Sequence, residues 1–211
     1  MTNWFETLVW PGGGTIGMLI WLLSVVVLAL AIQFFVTIRR ATILPDVVRQ
    51  QIQSMFDNKQ YREVIEMTAA EPSMLSSVVH AALTEAAHGY TAMEQAMEDA
   101  ADDRTARFLR RIEWLNLLGN VAPMLGLLGT VWGMILMFMD IKRLGRIPPA
   151  GDLAYAIGIA LVTTFLGLMV AIPALSVFSV LRTRIDALAG ETIMTSEELI
   201  STFRPGPKAE K

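Results

Sequence analysis

The sequence predicts an all-α integral membrane protein with three transmembrane helices. Of its 211 residues, 54% are hydrophobic and 18% are charged, and the mean hydropathy is +0.49. Three long windows contain no charged residue: Thr7 to Ile38, Trp114 to Met139 and Leu153 to Leu181. Each window can supply the roughly 20 apolar residues that span a bilayer. Because a backbone in lipid must satisfy its polar groups locally, we expect these spans to be helices.

Basic residues near the helix ends predict the orientation of the spans. Eight arginines fall on one side of the membrane if the chain crosses three times, and three basic residues fall on the other. The side richer in basic residues faces the cytoplasm, so the N-terminus is expected outside and the C-terminus inside. The predicted segments, in chain order, are a periplasmic N-terminal segment (1–14), the first span (15–38), a cytoplasmic helical domain (39–113), the second span (114–139), a periplasmic loop (140–152), the third span (153–181), a cytoplasmic helical extension (182–203) and a disordered tail (204–211).

The first span has an alternative interpretation as a cleaved signal peptide. Ala29-Leu-Ala31 has the small residues of a cleavage site, but the residues before Thr15 include no Lys or Arg. The apolar run is also longer than a signal h-region. These features favour a retained helix. Since it lacks a continuous face of small residues, we expect it at the lipid-facing periphery.

The cytoplasmic domain is expected to be helical throughout. Helix starts are predicted at Pro45-Asp46, at Tyr61 and at Pro72-Ser73, and the third of these helices is expected to end near His88-Gly89. These breaks divide the domain into short helices joined by turns.

A fourth, longer helix is predicted to open at a capping box formed by Thr91 and Glu94. No Gly or Pro interrupts the sequence from Thr91 to Leu118. This helix is therefore expected to continue directly into the second span.

The second and third spans each carry a stripe of small residues at steps of three or four. Such stripes let membrane helices approach closely. In the second span the stripe consists of Gly119, Ala122, Gly126, Gly129 and Gly133. In the third span it is expected to consist of Ala160, Thr164, Gly167, Ala171 and Ala174, with Thr163 beside it. Pro123 and Pro173 would either kink these helices and free carbonyls or mark packing bends.

Threonines are the polar residues of interest within these two spans. Thr130, Thr163 and Thr164 could line a polar path, because a hydroxyl both donates and accepts hydrogen bonds. They could equally bond back to carbonyls of their own helices. A proton path through lipid needs a titratable relay, and neither span contains an acid or a His. Either the protein moves no protons or a partner supplies the acid.

The rest of the chain offers no catalytic constellation. His80 and His88 have no clustered ligands around them, and Gly12-Gly-Gly14 lacks the Lys that a phosphate-binding loop requires. We therefore expect no enzyme activity, no metal, no cofactor and no binding of nucleic acid.

The two striped spans resemble the MotA/TolQ/ExbB proton-channel family. Ala122-Pro-Met-Leu-Gly-Leu-Leu-Gly-Thr-Val-Trp-Gly-Met134 is similar to the family's second-helix signature, and Ala160-Leu-Val-Thr-Thr-Phe-Leu-Gly-Leu-Met-Val-Ala-Ile-Pro173 is similar to its third. The resemblance covers nearly the whole chain, and three helices fit the ExbB/TolQ branch. The family's two pore threonines map onto Thr130 and Thr164. Some members carry a Glu five residues before the second threonine, where this chain has Ile159.

The resemblance implies a pentamer in the bacterial inner membrane. Its second and third helices would surround the single helices of two partner subunits that resemble ExbD or TolR and carry a membrane Asp. The small stripes cannot usefully face lipid, which also favours a ring, with the first helix outside. A TonB- or TolA-like effector is a further partner, and lipid surrounds the assembly.

The implied function is that of a proton-channel and stator subunit, which uses the proton motive force to energise transport or envelope work. Candidate processes are TonB-dependent uptake, Tol-type envelope maintenance, and a gliding or adhesion motor. The alternative is a non-conducting helical scaffold, in which the stripes only pack helices and the threonines satisfy themselves. A membrane-anchored enzyme is disfavoured by the lack of a catalytic cluster.

Overall fold

The structure, a computed structural model, describes residues 14–204, and every regular element in that range is a helix. Three of the helices are long and apolar enough to cross a membrane. The predicted all-helical fold with three apolar spans is therefore confirmed. The helices are α1 (Gly14–Thr37), α2 (Arg40–Ile43), α3 (Asp46–Asp57), α4 (Tyr61–Ala70), α5 (Met74–Thr84), α6 (Tyr90–Leu144) and α7 (Ala150–Ile200), with 3-10 turns at Ala86–His88 and Ser201–Phe203.

The chain divides into two compact units. Among the described residues, one unit, here called the membrane unit, contains 14–33 and 113–180; the other, the helical unit, contains 34–112 and 181–204. The segments predicted at the two termini, 1–14 and 204–211, lie outside the described residues apart from Gly14 and Arg204.

In the membrane unit, α1 packs through one narrow seam. Ile20 and Val27, seven residues apart, are buried, whereas Met18 and Leu22 are more than half exposed. Val27 shares a hydrophobic cluster with residues of α6 and α7, namely Leu115 and Ala174. A seven-residue repeat keeps one stripe on one side of a helix. Most of the α1 surface is thus exposed in the single chain.

The connection between α6 and α7 is shorter than the predicted loop of residues 140–152. α6 continues to Leu144 and α7 begins at Ala150. The charge-free windows give the length of the apolar span, but a helix can continue beyond that span through charged residues. The last helical residue of α6 is Leu144, and the next residue, Gly145, caps the helix with a φ of 63° and a hydrogen bond from its N–H to the Ile141 carbonyl.

The helical unit contains α2 to α5 together with the first part of α6 and the last part of α7. The Ser73 hydroxyl accepts a hydrogen bond from the Ser76 N–H, which caps α5 at its predicted start. Arg40 bonds both Asp46 and Glu191, so it joins the start of the unit to α7. The hydrogen bond to Glu191, followed by that to Asp46, raises the pKa of Arg40.

The start of α6 differs from the predicted capping box. α6 begins at Tyr90, directly after Gly89, whose φ is 98°. Thr91 therefore lies inside the first turn and is not the N-cap. The preceding helix also ends earlier than predicted: α5 stops at Thr84, and a 3-10 turn fills the segment up to His88. The positive φ of Gly89 sets this boundary, because other residues rarely adopt it.

Candidate functional site

In the membrane unit, the backbones of α6 and α7 come into direct contact. A Cβ added at Gly167 would lie 2.6 Å from the Ala122 carbonyl oxygen and 3.2 Å from the Gly126 Cα. A Cβ at Gly126 would lie 2.9 Å from the Thr164 Cα. Two backbones in direct contact tolerate no side chain between them. Gly126 and Gly167 are therefore required by the packing itself.

The remaining small residues extend this contact along both helices. Gly119 faces Leu175 and Gly129 faces Thr163, while Gly133 has ordinary contact with Ala160. The alanines of both stripes are buried in the same seam: Ala122, Ala160, Ala171 and Ala174. The two stripes thus pair the second and third helices of one chain, so their smallness by itself does not call for a ring of subunits.

Pro123 directly follows Ala122, whose carbonyl forms a tight contact of the seam, whereas Pro173 lies six residues beyond Gly167. Pro123 is half-buried and Pro173 is exposed, and both helices run through them. A proline removes one backbone donor and clashes with the preceding turn. A role in packing within the chain therefore fits Pro123 better than Pro173.

The stripe on α7 runs through Thr163 and not, as predicted, through Thr164. Thr163 is 1% exposed, whereas Thr164 is half-buried. The two residues are about 100° apart around the helix. Spacings of three and four fit either threonine equally, so only the partner helix distinguishes them. Thr163 lies in the seam against Gly129, and Thr164 lies at its edge.

The three threonine hydroxyls donate their protons within the chain. Thr130 donates to the Leu127 carbonyl at 2.7 Å. The shortest bond of Thr163 goes to the carbonyl of Ala160, also at 2.7 Å. Thr163 also lies within 3.2 Å of the Gly126 carbonyl of α6 across the seam, and Thr164 donates to that same carbonyl at 3.2 Å. Thr130 therefore bonds back within its own helix, Thr163 does so and also reaches α6, and Thr164 connects the two helices.

These bonds decide what the hydroxyls can do chemically. A hydroxyl that donates its proton to a carbonyl keeps its oxygen lone pairs for incoming donors. Thr130 and Thr164 are both half-buried, and the Gly126 carbonyl that Thr164 contacts lies one helical turn before Thr130. The pair can therefore accept hydrogen bonds from a protonated carboxyl or from water, whereas Thr163 is enclosed.

A cavity of about 370 Å³ lies near the α6–α7 connection, at that end of the seam. Its lining includes Asp140, Arg143, Asp152 and Ile159. Asp140 and Arg143 approach each other at 3.4 Å, and both are well exposed. Ile159, where the family resemblance implies a Glu in some members, therefore contributes an apolar side chain to a lining that also contains carboxylates.

The sequence reasoning missed a polar row on α6. The Asn116 amide donates to Glu113, and the Asn120 amide donates to Asn116. Glu113 and Asn120 are exposed, and Asn116 between them is half-buried. The sequence did contain a signal for this row. Glu113, Asn116 and Asn120 are spaced three and four residues apart, on the side of the helix that leads towards Thr130. The span was interpreted from its lack of acidic residues and from its stripe of small residues, and asparagine belongs to neither group.

The two histidines have ordinary partners in the helical unit. His80 lies 3.2 Å from the Thr68 hydroxyl, and His88 pairs with Glu85. Within residues 14–204 there is no group of three or more His, Asp or Glu that could hold a metal ion.

Comparison with known proteins connects this geometry to a family. Residues 48–193 match the MotA/TolQ/ExbB proton channel family. The chain is 32% identical over 172 residues to the biopolymer transport protein exbB1 of Vibrio cholerae serotype O1, which covers 76% of this chain and 73% of the relative.

Shorter matches agree. The chain is 48% identical over 88 residues to the putative biopolymer transport protein ExbB-like 1 of Synechocystis sp., covering 41% of this chain and 35% of the relative. It is 40% identical over 80 residues to the biopolymer transport protein ExbB of Neisseria gonorrhoeae, covering 36% of each. These two matches span little more than a third of the relatives. Since the family match includes both striped spans and the relatives carry the ExbB name, the chain belongs to the MotA/TolQ/ExbB proton channel family, in its ExbB-like branch.

Proposed function

We propose that this protein is the channel and stator subunit of a proton-driven motor in the bacterial inner membrane. The observation that carries the proposal is the pair of hydroxyl oxygens on Thr130 and Thr164, which remain able to accept hydrogen bonds at the edge of the α6–α7 seam. Membership of a proton channel family supports it. The subunit has no enzymatic role of its own in this proposal.

The acid of the relay comes from a partner. The second and third spans contain no Asp, Glu or His between Trp114 and Met139 or between Leu153 and Leu181. An intramembrane proton path needs a titratable group. We assign that group to a single-helix subunit of the ExbD or TolR type, present in two copies, with a TonB- or TolA-like effector beyond it.

The mechanism follows from the acceptor character of the threonines. A neutral partner carboxyl donates its O–H to Thr130 or Thr164. Loss of the proton removes that bond and leaves a charged carboxylate, which favours a hydrated position. Protonation thereby changes which position of the partner helix is more stable. One charge moved through 100 mV supplies roughly 2.3 kcal/mol, which is enough to bias such a step.

The proposed assembly is a homopentamer in which α1 faces lipid. Because the small stripes pair α6 with α7 within one chain, neighbouring copies must contact each other through other faces of these two helices. These carry exposed apolar side chains, such as Leu117, Met124 and Phe165. Native mass measurement should give five chains; a stable monomer of the unmodified protein would contradict the ring.

The decisive experiment is reconstitution with the partner in proteoliposomes. An imposed membrane potential should drive proton uptake, read by an internal pH dye. Replacement of the partner's membrane Asp by Asn should abolish it. A stable complex that never conducts, with either partner variant, would favour the scaffold alternative. The observation that supports the scaffold alternative is that the hydroxyls of Thr130 and Thr163 donate to carbonyls of their own helices.

A further inference from the structure

A hydrogen-bonded ladder of polar side chains extends into the second span from its cytoplasmic end. The Asn116 amide donates to the Glu113 carboxylate at 2.7 Å. The Asn120 amide donates to the Asn116 backbone carbonyl at 2.8 Å and to its side-chain oxygen at 2.9 Å. Glu113 and Asn120 are exposed, and Asn116 is half-buried between them. The ladder is therefore a surface feature of α6, separate from the buried seam.

The ladder forms a ridge on α6 that approaches Thr130 through Asn116. Steps of three and four residues join Glu113, Asn116 and Asn120 along this ridge. At about 100° per residue, Asn116 lies about 40° from Thr130 around the helix, Asn120 about 80° and Glu113 about 100°. At 1.5 Å per residue, the ladder reaches about 10 Å into the span, and Thr130 lies about 15 Å further.

The surroundings of this ridge must be polar. In the ladder bonds the Asn120 amide nitrogen is the donor, which leaves its side-chain oxygen to accept bonds from outside. A polar group that loses water without a replacement partner costs free energy, and polar side chains within membrane spans mostly face protein or a water-filled cavity. Lipid is therefore a poor neighbour for the ridge. A charged Glu113 at its end connects it to bulk water.

We infer that Glu113, Asn116 and Asn120 line a water-filled vestibule that opens at the Glu113 end and leads towards Thr130. The vestibule would hold water and hydronium. A proton released by the partner carboxyl passes to a water molecule, moves along waters held by the two amides, and reaches bulk solvent beside the Glu113 carboxylate. The amides order the water and do not titrate. This inference rests on the proposed function, because it supplies the cytoplasmic exit of the same path.

Cysteine accessibility tests the vestibule without measuring proton flow. The native chain has no cysteine, so Asn116→Cys and Asn120→Cys can be compared with Val121→Cys in the full complex. Val121 is half-buried, as Asn116 is, and it lies about 140° from Asn116 and about 100° from Asn120 around the helix. A charged thiol reagent attacks only the thiolate, which forms in water and hardly at all in lipid.

In inverted membrane vesicles, the two asparagine positions should react roughly tenfold faster than position 121, because only they contact water. Equal rates at positions 121 and 120 would overturn the inference. So would an unreactive thiol at position 120 that instead forms a disulfide between subunits, since the ridge would then be a protein contact. Fast labelling in a complex that never conducts protons would support the vestibule while rejecting the proposed function. Slow labelling in a conducting complex would reject the vestibule alone.

Discussion

At the scale of single residues, the direction of each hydrogen bond matters more than the presence of a hydroxyl. Thr130 and Thr163 both donate to carbonyls of their own helices at 2.7 Å. They differ in what can reach the oxygen, because Thr163 is 1% exposed and Thr130 is half-buried. A path-lining threonine must offer an acceptor to an outside group. Thr130 and Thr164 meet that requirement, and Thr163 does not.

Thr130→Val and Thr164→Val should assemble normally but lose proton-driven activity. Valine keeps the shape of threonine and removes the acceptor, which leaves a buried partner carboxyl short of a hydrogen bond at a cost of roughly 1–3 kcal/mol. The Ser variants keep the hydroxyl and should retain most activity. The measurement is growth or transport in a deletion strain, with assembly checked after detergent extraction.

Thr163→Val is the matched control for these variants. It changes the same atoms on the neighbouring residue, but its hydroxyl is enclosed in the seam. Activity should therefore persist, with a loss of stability of about 0.5–1.5 kcal/mol, since the hydroxyl bonds the Ala160 carbonyl and also lies within 3.2 Å of the Gly126 carbonyl. Full activity in both Val variants at positions 130 and 164 would assign the threonines to packing.

Gly167→Ala should destabilise the pairing of α6 and α7. The new Cβ would lie 2.6 Å from the Ala122 carbonyl oxygen, and backbone cannot move aside as a side chain can. Overpacking of this kind costs roughly 1–3 kcal/mol. Gly158→Ala on the same helix is the control, because nothing lies within 4 Å of its added Cβ. Thermal unfolding in detergent should separate the two; equal midpoints would refute the close approach.

At the scale of elements, helix pairing settles what periodicity leaves ambiguous. Spacing of three and four residues predicted the α7 stripe, but it could not choose between Thr163 and Thr164. In the structure Thr163 lies in the seam, because its side chain packs against Gly129. Helix ends show the same dependence on local geometry: glycines with positive φ set the start of α6 and its end at Gly145.

Ser73→Ala should loosen the start of α5. The Ser73 hydroxyl accepts the Ser76 N–H and is 4% exposed. Loss of an N-cap costs about 1 kcal/mol. Ser77→Ala removes a hydroxyl from the same turn that only bonds back to the Ser73 carbonyl, so it is the control. Hydrogen exchange of the first α5 amides should accelerate in the first variant only. Identical exchange in both would reject the cap.

At the scale of the whole molecule, charge asymmetry predicts the orientation of the three spans. The segment of residues 140–152 carries three basic residues, whereas eight lie at the opposite ends of the spans. The smaller number is expected to face the periplasm. This orientation also decides which end of the polar ladder meets the cytoplasm.

Cysteines placed on either side of the membrane test this orientation. Position 54 should be protected and position 146 labelled by an impermeant thiol reagent in intact spheroplasts. Arg146→Cys is a better probe than a cysteine at Gly145, because the φ of 63° at Gly145 would strain any side chain. Ser54 is an exposed helix residue whose hydroxyl bonds the nearby Gln51 carbonyl. The reverse labelling pattern would invert the topology.

The sequence by itself determined the three spans, the helical class and the family signatures. These follow from composition and spacing, because lipid excludes charge and leaves a backbone no alternative to the helix. The tertiary structure alone decided that the small stripes pair α6 with α7 inside one chain, that Thr163 lies in the seam, and that Thr164 donates across it to Gly126. It also revealed the Glu113–Asn116–Asn120 ladder on the surface of α6. The physical reason is that a helix presents several faces at equivalent spacings, and only contact with a neighbour determines which face is buried.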